Sequence, residues 1–267
     1  MRVMTWNLWW QFGPWRDRAA AIAAVVTEQA PDVLLLQEVW GENGTSAAHD
    51  LAAVLGFHTA ITDDTIGERD RPGIHNAIVS RWPLLDAVSH PLPRLDGAPG
   101  HRRALTAIVD APARRWPFVS THLDHRFDES ATRQVQAEAL LRIVADLRGT
   151  PDVDPPVIIG GDLNAVPDSD EIRLLTGRRA APVRNLVLTD AWEQVGDGAG
   201  ATWRRDNPYQ PDSAWPNRRL DYVFVSWPRP KPLGNPRRAW LAGADPVSGV
   251  WPSDHAAVVV DLHDGRD

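Results

Sequence analysis

The chain has 267 residues, of which 43% are hydrophobic, and its formal net charge is −7. This length and apolar content suffice for one large packed domain, so we expect a single domain over residues 1–267. The absence of cysteine excludes disulfides, thiolate metal sites, iron–sulfur clusters and cysteine nucleophiles. Any metal ion must therefore be bound through oxygen or imidazole nitrogen.

The start of the chain and the net charge limit its location and partners. The first residues lack the basic segment followed by an apolar one that an export signal has, and the apolar stretch at 19–26 is too short to span a bilayer. The acidic total disfavours broad attraction to nucleic acid, although a local positive cleft stays open. We expect a cytoplasmic monomer without integral membrane association, for which duplex nucleic acid is a disfavoured partner.

Hydrophobic periodicity predicts strands and helices in the first half of the chain. Alternating residues predict a strand at 2–8, and an alanine-rich pattern that stops before Pro31 predicts a helix at 16–29. A buried strand is expected at 32–37 and a short helix at 46–56. Five strands separated by turn residues follow, at 57–62, 76–80, 84–90, 103–111 and 116–122.

The second half combines one long helix with further strands. The longest helical pattern covers 129–148, and the apolar run from Val157 predicts the next strand, whose closing Gly160-Gly161 allows a close approach of backbone or ligand. The remaining elements are short helices at 168–176 and 189–194, strands at 219–227 and 255–262, and loops at 91–100 and 208–216. Many strands with a few core-covering helices favour packed sheets flanked by helices.

Polar residues recur at or near the ends of the predicted buried strands. They are Asn7, Glu38, His122, Asp162, Asn164, Asp221, Asp254 and His255. Each one alone is explained by ordinary structure, such as a turn, a cap or an ion pair. Together they favour a site for a hard metal ion and a phosphate, because strand ends at one edge of a sheet sandwich can converge on one cleft.

These residue types suit metal-assisted hydrolysis of a phosphate ester. Mg²⁺ prefers carboxylate and amide oxygens and needs only one or two protein carboxylates beside the substrate phosphate. The reaction also needs a positioned water, stabilised charge on the non-bridging oxygens and help for the leaving oxygen. Asp162 and Asn164 lie two residues apart on an extended segment, so both side chains can reach one water or phosphate.

Seven segments resemble, in order, the motifs of the endonuclease/exonuclease/phosphatase family, the deoxyribonuclease I-like metal-dependent phosphoesterases. They are "TWNLW" at 5–9, "LLLQEV" at 34–39, "NAIVSRWPL" at 76–84, "STHLDH" at 120–125, "IIGGDLNAVP" at 158–167, "RRLDYVFV" at 218–225 and "SDHAAVVVDL" at 253–262. The resemblance therefore covers nearly the whole chain. It implies an α+β fold, a four-layer α/β/β/α sandwich in which two packed mixed β-sheets are flanked by helices and the active site lies at one edge.

The resemblance also implies a metal centre and an activated water. Carried over by motif, Glu38 would be the principal ligand of Mg²⁺, or of Mn²⁺ in its place, with Asn7 and Asp254 beside it. Asp162 would orient or deprotonate the attacking water. Asn164 would help to place that water and the phosphate.

The two histidines receive separate roles by the same resemblance. His255, oriented by Asp221, would bind a non-bridging phosphate oxygen. His122 would act on the leaving group or on the transition-state charge. The candidates for further phosphate contacts are Asn76 and one of Arg102 or Arg103.

Departures from particular branches of the family limit the substrate. His122 stands where the abasic-site endonucleases typically have tyrosine, and the single lysine argues against the lysine-rich signatures of inositol-polyphosphate phosphatases. We therefore expect a Mg²⁺-dependent phosphodiesterase or phosphatase acting on a small or non-duplex, nucleotide- or lipid-like phosphoester. A metal-dependent nuclease is the alternative, and an inactive binding module with the same fold is a remote one.

Two residue sets discriminate among these functions. A positive cleft would favour the nuclease, and its candidate residues are Arg102, Arg103, Arg204, Arg205, Arg218 and Arg219. An apolar or base-stacking rim is a second hypothesis, for which the candidates are Trp9, Trp10, Trp203, Trp215 and Trp251. Burial in the core is the simpler explanation for most tryptophans. The inactive module would be favoured by a lost ligand, and no expected ligand position is lost.

Overall fold

The computed structural model describes residues 1–63, 73–210 and 214–266, and in this part of the chain two mixed β-sheets pack face to face. The strands of the first sheet, numbered along the chain, are β1 (Arg2–Asn7), β2 (Val33–Glu42), β3 (Thr45–Ser46), β4 (His58–Ile61), β5 (Gly73–Ser80), β12 (Pro236–Ala242) and β13 (Ala257–Leu262). Their order is β12-β13-β1-β2-β5-β4, with β3 paired to β2. The pair β1–β2 is parallel, whereas β1–β13 is antiparallel.

The strands of the second sheet are β6 (Leu84–Pro93), β7 (Pro99–Ala111), β8 (Arg114–His122), β9 (Ile158–Asp162), β10 (Val187–Asp190) and β11 (Asp221–Trp227). Their order in the sheet is β10-β11-β9-β8-β7-β6. The pair β8–β9 is parallel and β9–β11 is antiparallel. Both parallel pairs are joined through a helix, as a parallel connection requires.

Helices cover the outer faces of both sheets. They are α1 (Trp15–Gln29), α2 (Ala47–Leu55), α3 (Ser130–Leu147), α4 (Asp170–Leu175) and α5 (Ala191–Val195). Helices α1 and α2 pack on the first sheet, and α3 and α4 pack on the second. The core between the sheets includes Val3, Leu35, Phe118, Ile158 and Val223, all at most 1% exposed. The predicted four-layer α/β/β/α arrangement is therefore confirmed.

Most predicted element boundaries hold within a few residues, with several differences. Strand β2 continues to Glu42 and does not end at residue 37, so Glu38 lies inside the strand, and β3 was not predicted. The predicted loop at 91–100 is shorter, because β6 continues to Pro93 and β7 begins at Pro99. Proline is tolerated there since β6 is an edge strand. The predicted helix at 189–194 is the end of β10 followed by α5, and the arginine-rich edge strand β12 was not predicted. Residues 211–213 of the predicted loop at 208–216 lie outside the described residues.

No helix in the described part of the chain has both the length and the apolar character needed to cross a membrane.

The two sheets approach each other closely at Gly160 of β9. A Cβ added at Gly160 would lie 2.5 Å from Leu35 Cδ1 and 3.0 Å from Thr5 Cβ, both in the first sheet. Beside it, the Gln37 side-chain amide of the first sheet donates to the Ser120 hydroxyl of the second at 3.1 Å. Glycine is therefore needed at this position for packing rather than for an unusual backbone angle.

Gly160→Ala should lower the free energy of unfolding by about 1–3 kcal/mol, because the added methyl group overpacks the space between the sheets. Urea denaturation of the wild type, Gly160→Ala, Leu35→Ala and the double variant measures this. Since Leu35→Ala removes the atom that the new methyl group meets, the double variant should lose less stability than the sum of the single losses. Additive losses, or an unchanged urea midpoint for Gly160→Ala, would contradict this explanation.

Candidate active site

Strand register places three of the predicted site residues side by side at one end of the second sheet. His122 ends β8 and pairs with Asp162 at the end of the parallel strand β9. Asp221 begins the antiparallel strand β11 and pairs with Asp162 from the other side. Asn7, which ends β1 in the first sheet, donates its side-chain Nδ2 hydrogen to Asp162 Oδ2 at 3.0 Å. Strand ends from both sheets thus converge on Asp162.

These side chains border a cleft of about 1240 Å³. The predicted site residues that line it are Asn7, Glu38, Arg102, His122, Asp162, Asn164, Asp254 and His255. Asp221 is fully buried and does not line the cleft, but it is hydrogen-bonded to the lining residue His255. Asn76 and Arg103 are not among the lining residues; Asn76 instead donates to the backbone carbonyl of Arg103 at 2.7 Å. Asn76 therefore supports the strand that carries Arg102.

Asp162 has the environment of a general base. Its Oδ1 accepts from the backbone N–H of Asn164 at 2.9 Å, while Oδ2 lies 3.4 Å from His122 Nε2 and 3.8 Å from His255 Nε2. Desolvation raises the pKa of Asp162 to about 6, against the opposing effect of the nearby His255 charge. A carboxylate with this pKa is ionised near neutral pH and still has appreciable proton affinity, which suits proton abstraction.

His255 is held as a cation by buried carboxylates. Its Nδ1 lies 2.8 Å from Asp221 Oδ2, so Nε2 faces the cleft. Desolvation opposes the charge, but Asp221, Asp254 and Asp162 outweigh it and raise the pKa of His255 well above the usual value. A protonated Nε2 is a donor only, and it can bind an anionic oxygen.

The environment of His122 has the opposite effect on its pKa, because no nearby carboxylate offsets the burial of its ring. Desolvation, followed by the positive Arg102, lowers the pKa of His122 well below the usual value. Its Nε2 lies 3.0 Å from Asn164 Nδ2. Asn164 is held in the left-handed region, at φ 50°, and its Nδ2 also donates to the Leu123 carbonyl at 3.2 Å. The site therefore contains one cationic and one neutral histidine.

Glu38 is directed into the cleft by a β-bulge. Leu36 pairs with Ala77 and Val39 with His75, so β2 has one residue more than β5 between these pairs. Glu38 has φ 47°, an uncommon conformation for a residue with a side chain. Its Oε2 is buried without a hydrogen-bond partner among the described residues. A buried carboxylate oxygen without a donor is what a cation ligand should be before the cation binds.

Asp254 adds a second acidic group at the same place. Desolvation, together with the charges of Glu38, Asp162 and Asp221, raises the pKa of Asp254 to about 7 against the opposing effect of His255. Asn7 Oδ1 accepts from the Trp9 N–H at 2.9 Å and keeps a second lone pair. The three residues Glu38, Asp254 and Asn7 therefore offer the hard oxygen donors that a divalent cation requires.

A second acidic cluster is less suitable for a metal ion. Asp162, Asp221 and His255 each place one potential ligand atom within 4.8 Å of the others. However, His255 is protonated and bonded to Asp221, so its ring has no lone pair to offer. The imidazolium offsets one of the two carboxylate charges in this cluster.

Arg18 of α1 holds the two segments that carry Asn7 and Asp254, two of the candidate metal ligands, and it was not predicted from the sequence. It is 1% exposed. Its guanidinium donates at 2.8–3.2 Å to the carbonyl oxygens of Leu8, Trp9, Trp10, Phe12 and Pro252. It thus joins the segment after Asn7 to the segment before Asp254. No pattern of side chains in the sequence reveals such a role, because the acceptors are backbone carbonyl groups.

His125 is a second residue that the sequence analysis did not select. Arg102 Nη2 donates to His125 Nδ1 at 3.0 Å, and both residues line the cleft. The neighbouring cleft arginines Arg94 and Arg126 are bonded to Asp96 and Asp124, respectively. Arg102 donates to a ring nitrogen instead, which leaves its charge facing the carboxylates of the site. The sequence did hold one indication of His125, because it lies only three residues after the predicted site residue His122.

The proposed arginine cleft is largely absent from the described residues. Arg219 forms a buried ion pair with Asp190 at 2.6 Å, and Arg204 is paired with Asp206. Among the six candidates, only Arg102 lines the cleft. The tryptophan rim is partly present: Trp9 and Trp203 line the cleft and Trp215 stacks on Phe127, whereas Trp10 and Trp251 are not lining residues.

Asp221→Asn should lower the pKa of His255, because it removes the opposite charge that lies at hydrogen-bond distance from Nδ1 and favours the imidazolium. An NMR titration of the His255 ring in the metal-free protein measures the change. Asp206→Asn, which removes an exposed carboxylate paired with Arg204, is the control and should leave the titration unchanged. An unchanged midpoint in Asp221→Asn would remove the proposed coupling.

The sequence and the structure of the chain were compared with those of known proteins. Residues 4–255 match the model of the Endonuclease/Exonuclease/phosphatase family. An endonuclease/exonuclease/phosphatase structure from Beutenbergia cavernae DSM 12333 is 28% identical, with a TM-score of 0.72 over 99% of this chain and 72% of that chain.

Two further structures share the fold. D. rerio TDP2 complexed with single strand DNA product is 19% identical, with a TM-score of 0.73 over 97% of both chains. The mannosyl-6-phosphatase of Bacteroides thetaiotaomicron VPI-5482 is 20% identical, with a TM-score of 0.72 over 98% of this chain and 99% of that chain. No curated protein matched the sequence. The family model spans nearly the whole chain, so the chain belongs to the endonuclease/exonuclease/phosphatase family and is a metal-dependent phosphoesterase, a hydrolase acting on ester bonds.

Proposed function

We propose that the protein is a Mg²⁺-dependent phosphodiesterase or phosphatase acting on a small or non-duplex substrate, nucleotide- or lipid-like in character. The observation that supports this most strongly is Asp162, a base with a pKa near 6 placed 3.8 Å from the cationic His255 and within one cleft of the unpaired Glu38 oxygen. A water-activating base, a phosphate-binding cation and a free metal ligand are the groups that phosphoester hydrolysis requires.

The proposed metal site consists of Glu38, with Asn7 and Asp254 beside it. A bound Mg²⁺ would neutralise charge on the phosphoryl group. Mn²⁺ offers the same hard-ligand preference and is expected to substitute. Glu38 and Asp254 supply the carboxylates, and the Arg18 network fixes the distance between the segments that carry Asn7 and Asp254.

The proposed chemistry assigns one role to each of the other side chains. Asp162 takes the proton of the attacking water, while the Asn7 and Asn164 hydrogen bonds hold its carboxylate in place. His255 donates from Nε2 to a non-bridging oxygen, where negative charge develops in the transition state. His122 and Asn164 act at the leaving oxygen and the phosphate. Arg102 is the proposed phosphate contact, because it lines the cleft and Arg103 does not.

The nuclease alternative has one observation for it and one against it. The cleft is large enough for several nucleotides' worth of contacts, but most of its arginines are neutralised by carboxylates. An inactive binding module is disfavoured because a function without catalysis would not need the His255–Asp221 pair or the raised pKa of Asp162. The cytoplasmic location, the monomeric state and the single domain stay predictions from the sequence.

Glu38→Gln should weaken Mg²⁺ binding and lower the rate of hydrolysis roughly 100-fold or more, since even the loss of a residue that only supports a metal ligand costs 10–100-fold. Hydrolysis of bis-p-nitrophenyl phosphate with Mg²⁺, Mn²⁺ or EDTA measures activity, and the rise in melting temperature with Mg²⁺ measures binding. Glu138→Gln, on the exposed face of α3, is the control. Full activity of the wild type in excess EDTA would overturn the proposal.

Mg²⁺ should stabilise the protein more at pH 8 than at pH 6. The folded-state pKa of Asp254, about 7, is above its ordinary value of 3.8, so the metal-free fold holds a proton between these pH values. Its stability therefore falls as the pH rises from about 4 through 7, the reverse of an ordinary salt-bridged aspartate. A cation that replaces this proton gives the larger rise in melting temperature above pH 7. An equal or larger rise at pH 6 would contradict the metal assignment.

Duplex DNA should bind weakly and with a shallow salt dependence. Each phosphate that the protein neutralises adds about 0.9 to the slope of log affinity against log salt. The net charge is −7, and few cleft arginines lack a carboxylate partner. Binding is measured with Asp162→Asn, so that cleavage does not obscure affinity. Tight, steeply salt-dependent duplex binding, with rapid plasmid nicking by the wild type, would favour the nuclease instead.

A further inference from the structure

Phe127 is an exposed aromatic ring inside the cleft. Its side chain is 52% exposed, and it lines the same cleft as Asp162 and His255. It lies on the loop that follows His122 and Asp124, outside the seven segments that resemble the family motifs. A large apolar side chain left open to water beside a reaction centre is a candidate for contact with the substrate.

The ring of Phe127 is held in place by its neighbours. It stacks on Trp215 with a centroid distance of 4.3 Å and an interplanar angle of 21°, and it meets Trp203 at 6.4 Å. The Arg218 guanidinium lies 4.9 Å from the Phe127 ring and 4.6 Å from the Trp215 ring. The Arg218 backbone is itself paired with Trp203. Phe127 is therefore a fixed, flat surface, and binding to it costs little side-chain ordering.

We propose that Phe127, supported by Trp215 and Arg218, is a stacking platform for a planar heteroaromatic ring of the substrate, such as a nucleobase. This inference rests on the proposed function and narrows its substrate class to phosphoesters that carry such a ring beside the scissile phosphate. It concerns residues that stack, and it assigns them no part in the bond-breaking step.

A planar ring fits this surface better than an alkyl chain. An alkyl chain gains most when apolar groups enclose it, whereas Phe127 is more than half open to water. The cleft around the ring contains charged side chains, Asp124 and Arg126 among them, which can surround the edge of a heterocycle. Stacking on an aromatic face needs only one open side and tolerates every base.

Hydrolysis of matched dinucleotides tests the proposal. The substrates are thymidylyl-thymidine and its two analogues in which one or the other thymine is absent, assayed with Mg²⁺. For the wild type, one of the two bases should raise kcat/KM by roughly tenfold, as expected for one stacked base. Phe127→Leu should reduce this ratio to near one, and Phe127→Tyr should retain it. Phe12→Leu makes the same change at a cleft ring that is 45% exposed, and it should retain the ratio as well.

A binding measurement gives an outcome that does not depend on turnover. Stacking quenches the fluorescence of 2-aminopurine, so a 2-aminopurine nucleotide should be quenched on binding to Asp162→Asn. The quenching should be lost in Asp162→Asn/Phe127→Leu and kept in Asp162→Asn/Phe127→Tyr. Equal quenching with leucine at 127, or loss of quenching only with Phe12→Leu, would overturn the proposal.

The proposed function and the stacking platform are disproved by different results. No Mg²⁺-dependent hydrolysis of any phosphoester would remove the proposed function, while the quenching would still report on the platform. Hydrolysis of bis-p-nitrophenyl phosphate without any gain from a base would leave the function and overturn the platform. A lysophospholipid whose hydrolysis depends on Phe127, alongside dinucleotides whose hydrolysis does not, would also overturn it and assign the ring to an alkyl chain.

Discussion

The close approach of the two sheets at Gly160 is the constraint on which the site depends. Any side chain at this position would meet Leu35 and Thr5 of the opposite sheet. With glycine there, Asn7 from one sheet reaches Asp162 of the other at 3.0 Å. Asp162 belongs to the second sheet, whereas Asn7 and Glu38, two of the proposed metal ligands, belong to the first. The packing of the core thus sets the distance between the proposed base and these ligands.

The end of the sandwich at which Asp162 lies contains several buried ionisable side chains, which are unfavourable in a protein core. Asp162 and Asp254 have pKa values raised to about 6 and about 7, and His255 is kept protonated among them. Buried charges of this kind cost free energy unless they are paired, and Glu38 Oε2 has no partner among the described residues. The hydrophobic clusters between the sheets and beneath the helices offset this unfavourable free energy. Function here is obtained at the expense of local stability, as at many active sites.

The parts of this protein that could be predicted from sequence are those encoded locally. The apolar run before Asp162 and its two glycines indicate a buried strand that ends in polar residues, and the structure has that strand at Ile158–Asp162. The position of Asp221 beside Asp162 depends on strand register, which alternation within one strand does not reveal. Arg18 was missed because its acceptors are carbonyl oxygens, which leave no trace in side-chain patterns. Phe127 was missed because it stands on an irregular loop, where no periodicity marks the direction of a side chain.

The Arg18 network joins residues from the two ends of the described chain. The guanidinium links Leu8 and Pro252 through one nitrogen, and strand β1 pairs with β13. During synthesis on the ribosome, the first strand therefore waits for nearly all of the later residues before its antiparallel partner β13 exists, although its parallel partner β2 is made early. Contacts of such long sequence separation form late and slowly. A nascent chain that has already made Asn7 and Glu38 still lacks Asp254 and His255, so the phosphoesterase becomes competent only when its last strand has been added.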